Sequence, residues 1–222
     1  MVQESTLGFF VKRRAYGISG KCLTFYTEKH GLLDLVQFSS KKSSPLFPFG
    51  LYEVRYTKQP PFTLGKVEAV SFFIPSINSA YTPVNQSIFF FACDVVHQSA
   101  SYNEMDRKGY DQLFQWYTNI NSTQDPNILL LDFLIHWMEA LGILPEFVGD
   151  FDTFPATQQF FHTDQNFNPA TEPIPWKSYL LQSYSSTLTR KKFFNILVNH
   201  LSQQIPNFDI SATRTLLKQI LI

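Results

Sequence analysis

Apolar and polar residues alternate along much of residues 7–70, with the two-residue period of half-buried β-strands. The clearest case is Leu51–Tyr56, in which three apolar residues alternate with Glu53 and Arg55. The same alternation predicts four further strands: Leu7–Arg13, Lys21–Thr27, Leu32–Phe38 and Thr63–Val70. No long helical segment separates these strands, so we expect them to close into one small barrel.

The spacing of apolar residues becomes helical after residues 74–75. Thr82 and Asp125 are each followed by a proline, and a capping side chain before a proline is typical of a helix start. The second of these helices is expected to end at Gly142. Three more helices are predicted: one around Tyr110–Tyr117, one capped by Thr189 and one capped by Ser211.

The order of these elements predicts an α+β protein. We expect an N-terminal five-stranded barrel with the oligonucleotide/oligosaccharide-binding (OB) fold in residues 1–75. An all-α helical domain is expected to follow in residues 76–222. Its segment 146–175 is predicted to be irregular, because residues 147–175 contain four prolines and neither Lys nor Arg.

Charge is distributed unevenly along the chain. The protein has 18 basic and 18 acidic residues, so its net charge is zero. Residues 7–68 nevertheless contain ten Lys and Arg against four acids, whereas residues 104–172 contain eleven acids against two bases. A basic, strand-rich module beside an acidic helical body is a plausible arrangement for binding a polyanion.

The candidate phosphate-binding residues are therefore the Lys and Arg of the predicted barrel. They are Lys12, Arg13, Arg14, Lys21, Lys41, Lys42, Arg55 and Lys58. The alternative is a solvated charged rim without a partner. Tyr16, Tyr26, Tyr52 and Tyr56 offer rings for base stacking, although the apolar strand face shared by the last two favours core packing for them.

The order of short motifs resembles the bacterial RecO family of recombination-mediator proteins, over nearly the whole chain. The barrel motifs are Phe9–Lys12, Tyr16-Gly17, Phe25–Glu28, His30–Leu32 and Leu46–Phe49. The helical motifs are Phe133–Leu141 with Gly142–Pro145, Phe193–His200, Pro206–Phe208 and Ile210-Ser211.

This resemblance implies a protein without catalytic turnover that acts in recombinational DNA repair. Members of the family bind single- and double-stranded DNA, anneal complementary strands and help to load the RecA recombinase. They partner with RecR and with the acidic C-terminal tail of single-stranded-DNA-binding protein. The competing hypothesis is a protein-interaction module of the same architecture that has lost DNA binding.

The chain departs from the family at three places, one of which is Leu130–Asp132, where some relatives place an Arg on the helix that takes the acidic tail. Many relatives have a four-cysteine zinc site after the central helix, but this chain has only Cys22 and Cys93, so we expect no metal and no cofactor. The loop around Lys41 and Lys42 is shorter and less basic than in relatives.

A site for the acidic tail is expected where cations adjoin apolar residues. Outside the barrel, the dense basic cluster is residues 190–192, directly before Phe193. Arg190, Lys192 and Phe193 are therefore the candidate peptide-binding residues. A solvated first helical turn is the alternative.

Catalysis and membrane insertion are not predicted. The five histidines have no ligand spacing, and neither a phosphate-binding glycine loop nor a nucleophile elbow is found. No apolar run reaches the length of a membrane span, the N-terminus lacks signal-peptide features, and two isolated cysteines indicate reduced thiols. We therefore expect a cytoplasmic protein.

Overall fold

The computed structural model describes residues 2–38, 45–58, 64–73, 82–120, 125–145 and 187–218. In these residues five strands precede five helices, which confirms the predicted α+β class. The strands are β1 Val2–Tyr16, β2 Gly20–Thr27, β3 Gly31–Phe38, β4 Leu51–Lys58 and β5 Gly65–Phe72. The helices are α1 Pro83–Ser99, α2 Arg107–Thr118, α3 Pro126–Leu141, α4 Thr187–Gln204 and α5 Ser211–Lys218.

The five strands pair in the closed order β1-β2-β3-β5-β4. The first half of β1 pairs antiparallel with β4, and its second half pairs antiparallel with β2. A parallel contact between β3 and β5 completes the circuit, at Leu35 opposite Gly65. Strand β1 joins both neighbours because it is 15 residues long and contains a β-bulge between Phe10 and Lys12.

Side chains of the barrel pack into two cores, because successive residues of a strand point to opposite faces. Phe10, Phe25 and Tyr56 belong to the core inside the barrel. Phe9 and Tyr26 point outward into a second core, which the barrel shares with the helices. The helices therefore cover part of the outer barrel wall.

Two predicted helix starts are confirmed in detail. The Thr82 hydroxyl accepts a hydrogen bond from the backbone N–H of Asn85 at 3.2 Å, at the start of α1. The Asp125 carboxylate accepts one from the backbone N–H of Asn127 at 2.8 Å, at the start of α3. Helix α3 ends at Gly142, whose φ of 71° is the left-handed conformation that glycine adopts readily.

Two other predicted caps are wrong. Thr189 lies inside α4, which begins two residues earlier at Thr187. Ser211 is the first residue of α5, and its backbone N–H donates to the Asp209 carboxylate at 2.8 Å. Asp209 therefore provides the side chain that the prediction assigned to Ser211. The segment predicted to be irregular, 146–175, lies outside the described residues.

Candidate nucleic-acid interface

The β1–β2 hairpin carries four of the eight predicted DNA-binding residues. Lys12, Arg13 and Arg14 are consecutive and exposed on β1, and the half-buried Lys21 follows on β2. Because of the bulge, Lys12 lies opposite Thr24 and Arg14 lies opposite Cys22. The bulge thus directs two of the three consecutive cations to the outer face, on which the helices also pack.

The hairpin presents positive charge on both of its faces. Arg13 lies opposite Leu23, a residue of the inner core, so it belongs to the face that continues the barrel interior. Lys21 lies opposite Ala15 on the same face. A polyanion therefore meets cations on either side of this hairpin.

Arg14 is held in place by a neighbouring strand. Its Nη2 atom lies 2.5 Å from Oδ2 of Asp34, and the Thr24 hydroxyl donates to Oδ1 of the same carboxylate at 2.5 Å. The Arg14 side chain nevertheless remains 54% exposed, whereas that of Asp34 is 13% exposed. The pair orients the guanidinium group and neutralises part of its charge.

The helical part adds two residues beside these cations. His97 of α1 lies 3.3 Å from the Tyr102 hydroxyl, through its Nε2 atom. Burial, and next the positive charge of Lys12, hold the pKa of His97 below its ordinary value. His97 is therefore neutral at pH 7 and adds no positive charge to that of Lys12 and Arg14.

An exposed pair of aromatic rings lies at the open end of the same outer face. Tyr16 pairs with Gly20, and Gly20 pairs in turn with Phe38, so the three residues form one row across β1, β2 and β3. Tyr16 is 42% exposed and Phe38 is 53% exposed. The sequence analysis named Tyr16 as a stacking candidate but not Phe38, although Phe38 follows Asp34 and Val36 at the two-residue spacing of one strand face.

The other predicted DNA-binding residues lie elsewhere. Arg55 is exposed on β4, between Ser5 and Ala69 of the neighbouring strands. Lys58 lies at the end of β4, with Nζ 5.8 Å from the centre of the Tyr56 ring. Neither residue joins the hairpin cations. Lys41 and Lys42 lie outside the described residues.

Three of the four candidate stacking tyrosines are buried. Tyr52 and Tyr56 pack in the inner core, as their shared strand face predicted. Tyr26 is fully buried and its hydroxyl donates to the Asp106 carboxylate at 2.7 Å. Only Tyr16, among these four, offers an open ring to a ligand.

The candidate peptide-binding residues do not form an open groove in the described part of the chain. Arg190 donates from Nη1 to Oδ2 of Asp125 at 2.5 Å, and Phe193 is only 1% exposed. Both residues lie on a face of α4 that points into the core. The side chain of Lys192 lies outside the described residues.

Metal ligands do not gather in the residues that the structure describes. No group of three or more His, Cys, Asp or Glu side chains is placed there to hold an ion. Cys22 and Cys93 are buried free thiols, and burial raises the pKa of each. None of the described helices combines the length and apolar composition needed to cross a membrane.

Comparison with known proteins adds no relative to this picture. The chain matches no protein-family model and no curated protein. The similarity to the RecO family therefore rests on the order of the residue motifs alone.

Proposed function

We propose that this chain is a DNA-binding recombination mediator of the RecO type, which holds single- and double-stranded DNA and anneals strands. The observation that carries the proposal is the β1–β2 hairpin, with Lys12, Arg13, Arg14 and Lys21 beside exposed aromatic rings. Cations supply affinity for phosphates, and open rings supply stacking surfaces for bases.

The fold supports this assignment at the level of architecture. We propose that residues 1–75 form an OB-fold, a five-stranded Greek-key barrel whose β2–β3 face and adjoining loops bind oligonucleotides. The strand order β1-β2-β3-β5-β4 agrees with that proposal. Lys12, Arg14 and the two exposed rings lie on the outer face of β1, β2 and β3. Residues 76–222 form the helical partner domain in this proposal.

Protein partners follow from the resemblance. We propose a RecR-like partner and the acidic tail of single-stranded-DNA-binding protein, with no catalytic step. None of the described residues is proposed to bind this acidic tail, because Arg190 is paired with Asp125 and Phe193 is buried. A peptide could use Arg190 only by breaking an existing ion pair.

The proposal is tested by the salt dependence of DNA binding. Each phosphate contact contributes about 0.7 to the slope of log affinity against log salt for single strands. Replacing Lys12, Arg13 and Lys21 together by Gln should therefore flatten that slope by about 2. Arg14 is left unchanged because Asp34 already compensates part of its charge. Fluorescence anisotropy with labelled single-stranded and duplex oligonucleotides measures the slope.

A matched control removes three exposed bases outside the hairpin. Replacing Arg107, Lys108 and Lys191 by Gln changes the net charge equally and should leave the slope within about one contact of wild type. If the hairpin variant is folded but keeps the wild-type slope, the DNA-binding site lies outside the hairpin.

The alternative function is a protein-interaction module without DNA binding. It is favoured by the zero net charge and by the Arg14–Asp34 pair, which neutralises part of the charge of one hairpin cation. In that case the full chain shows no salt-dependent binding to either form of DNA.

A further inference from the structure

The side chains of Tyr16 and Phe38 extend towards each other across Gly20 of β2. A methyl group at Gly20 would lie 3.3 Å from Cδ1 of Tyr16 and 3.6 Å from Cδ1 of Phe38. The two rings therefore approach the bare backbone of β2 from the strands on either side. Since adjacent strands are about 4.8 Å apart, the backbones that carry the rings are separated by roughly 10 Å.

These rings are not part of either core. Rings of similar size on the intervening strand β2, Phe25 and Tyr26, are fully buried. About half of each outer ring meets solvent instead, and Ile18 at the hairpin tip is completely exposed. The open end of the outer face thus presents an apolar surface that the described part of the molecule does not cover.

The cations next to the rings indicate what this surface binds. Arg14 precedes Tyr16 by two residues on the same face, and Lys12 precedes it by four. An apolar aromatic ligand that carries negative charge along its length satisfies both features. Unpaired nucleotides have this chemistry, because their bases expose flat faces and their backbone exposes phosphates.

We propose that Tyr16 and Phe38 form a stacking platform for unpaired bases, which makes the hairpin prefer single-stranded to duplex DNA. This inference rests on the proposed DNA-binding function. Bases within a duplex already stack on one another, so the rings reach them only where strands are open. Duplex DNA then binds through phosphate contacts alone, which Lys12, Arg13 and Lys21 provide.

Leucine variants test the platform because they keep apolar cover over Gly20 and remove the π-face. Tyr16→Leu and Phe38→Leu should each weaken single-strand binding by about tenfold or more, as expected for the loss of one base–aromatic stack. Duplex affinity and the salt slope should stay near wild type. Tyr16→Phe and Phe38→Tyr should retain single-strand affinity, because both keep a ring.

Phe90→Leu is the matched control. Phe90 is 47% exposed on α1, similar to the two platform rings, but it does not lie on the hairpin. This variant should bind both forms of DNA like wild type. Thermal unfolding of each variant establishes that it is folded.

Ultraviolet cross-linking tests the wild-type protein without any substitution. Single strands containing 5-iodouracil should cross-link to peptides that carry Tyr16 or Phe38, identified by mass spectrometry. Cross-links found only at other peptides, or leucine variants with wild-type single-strand affinity, would overturn the platform while leaving the DNA-binding function intact. Wild-type protein that binds no DNA would instead refute the proposed function.

A membrane surface is the competing ligand for an apolar hairpin tip with flanking cations. The same variants are therefore tested against vesicles of phosphatidylserine and phosphatidylcholine. Vesicle binding that is lost in Ile18→Ser, without single-strand preference in the wild type, would assign this surface to lipid and overturn the platform.

Discussion

At the scale of single residues, the Glu4 carboxylate links stability to pH. It accepts a hydrogen bond from the Tyr56 hydroxyl at 2.6 Å, and His30 Nε2 lies 3.0 Å from the same hydroxyl. The bond from Tyr56 holds the pKa of Glu4 below its ordinary value, against the raising effect of partial burial. In acid the unfolded chain therefore binds more protons at Glu4, and stability falls as pH drops through the lowered pKa.

Tyr56→Phe should reduce this dependence. We expect a loss of about 1 kcal/mol in the free energy of unfolding at pH 7, the usual contribution of one hydrogen bond. We also expect a smaller loss of stability between about pH 5 and about pH 3 than in wild type. Urea unfolding at a series of pH values measures both quantities.

Tyr110→Phe is the control for this substitution. The Tyr110 hydroxyl is buried and has no hydrogen-bond partner among the described residues. Its removal should leave stability equal or higher and should not change the pH dependence. Identical acid dependence in wild type and Tyr56→Phe would show that Glu4 does not control it.

The face of a strand on which a side chain lies could be predicted wherever apolar and polar residues alternate without interruption. The burial of Tyr52 and Tyr56 follows directly from the period of their strand. The outer position of Lys12 and Arg14 does not, because uninterrupted alternation from Phe10 would have placed them on the inner face. One extra residue at the bulge reverses that parity, and nothing in the apolar Phe9–Val11 run indicates where the ladder shifts.

At the scale of elements, one ion pair joins α4 to the start of α3. Arg190 of α4 donates to Asp125, whose carboxylate also caps α3 through the backbone N–H of Asn127. Burial raises the pKa of Asp125, but the bonds from Asn127 and Arg190 outweigh it and hold the value low. The carboxylate is therefore charged at neutral pH and binds both helices.

Arg190→Gln should lower the free energy of unfolding by about 1–3 kcal/mol, because it breaks a charge-assisted hydrogen bond at a partly buried position. Lys191→Gln is the control, since Lys191 is exposed on the next position of the same helix. Urea unfolding compares the two variants. Equal stability would remove the structural role of Arg190 and favour its use in binding a partner.

Element positions could be predicted better than element ends. All five strands and the starts of α1 and α3 follow from alternation and capping residues. Strand β1 begins at Val2, five residues before the predicted start, because residues 2–6 pair with β4. These residues are mostly polar, so they show no alternation that would predict a strand. Such tertiary pairing leaves no local pattern in the sequence.

At the scale of the whole molecule, Phe49 connects the barrel to the helices. It follows β3 in the chain, yet its ring stacks on Phe9 at 5.0 Å and contacts Trp116 and Phe133 at 5.7 and 6.0 Å between ring centres. The residue is fully buried and has a φ of 54°, which is unfavourable for a side chain of this size. Packing in the shared core offsets that strain.

We therefore expect the barrel and the helices to unfold together. Phe49→Ala should lower the free energy of unfolding by about 3–5 kcal/mol, the usual cost of removing a buried aromatic ring. Phe49→Gly should be less damaging than Phe49→Ala by about 1 kcal/mol, because glycine adopts positive φ without strain. Alanine at Phe47, which is 38% exposed, should cost much less.

Two signals distinguish one cooperative unit from two. Trp116 and Trp137, two of the chain's three tryptophans, report on the helical part by fluorescence, whereas circular dichroism follows the strands as well. Because the core is continuous across the two parts, both signals should give the same urea midpoint in wild type and the same shift in Phe49→Ala. Separate midpoints, with tryptophan fluorescence unaffected by the substitution, would show that the barrel and the helices are independent domains.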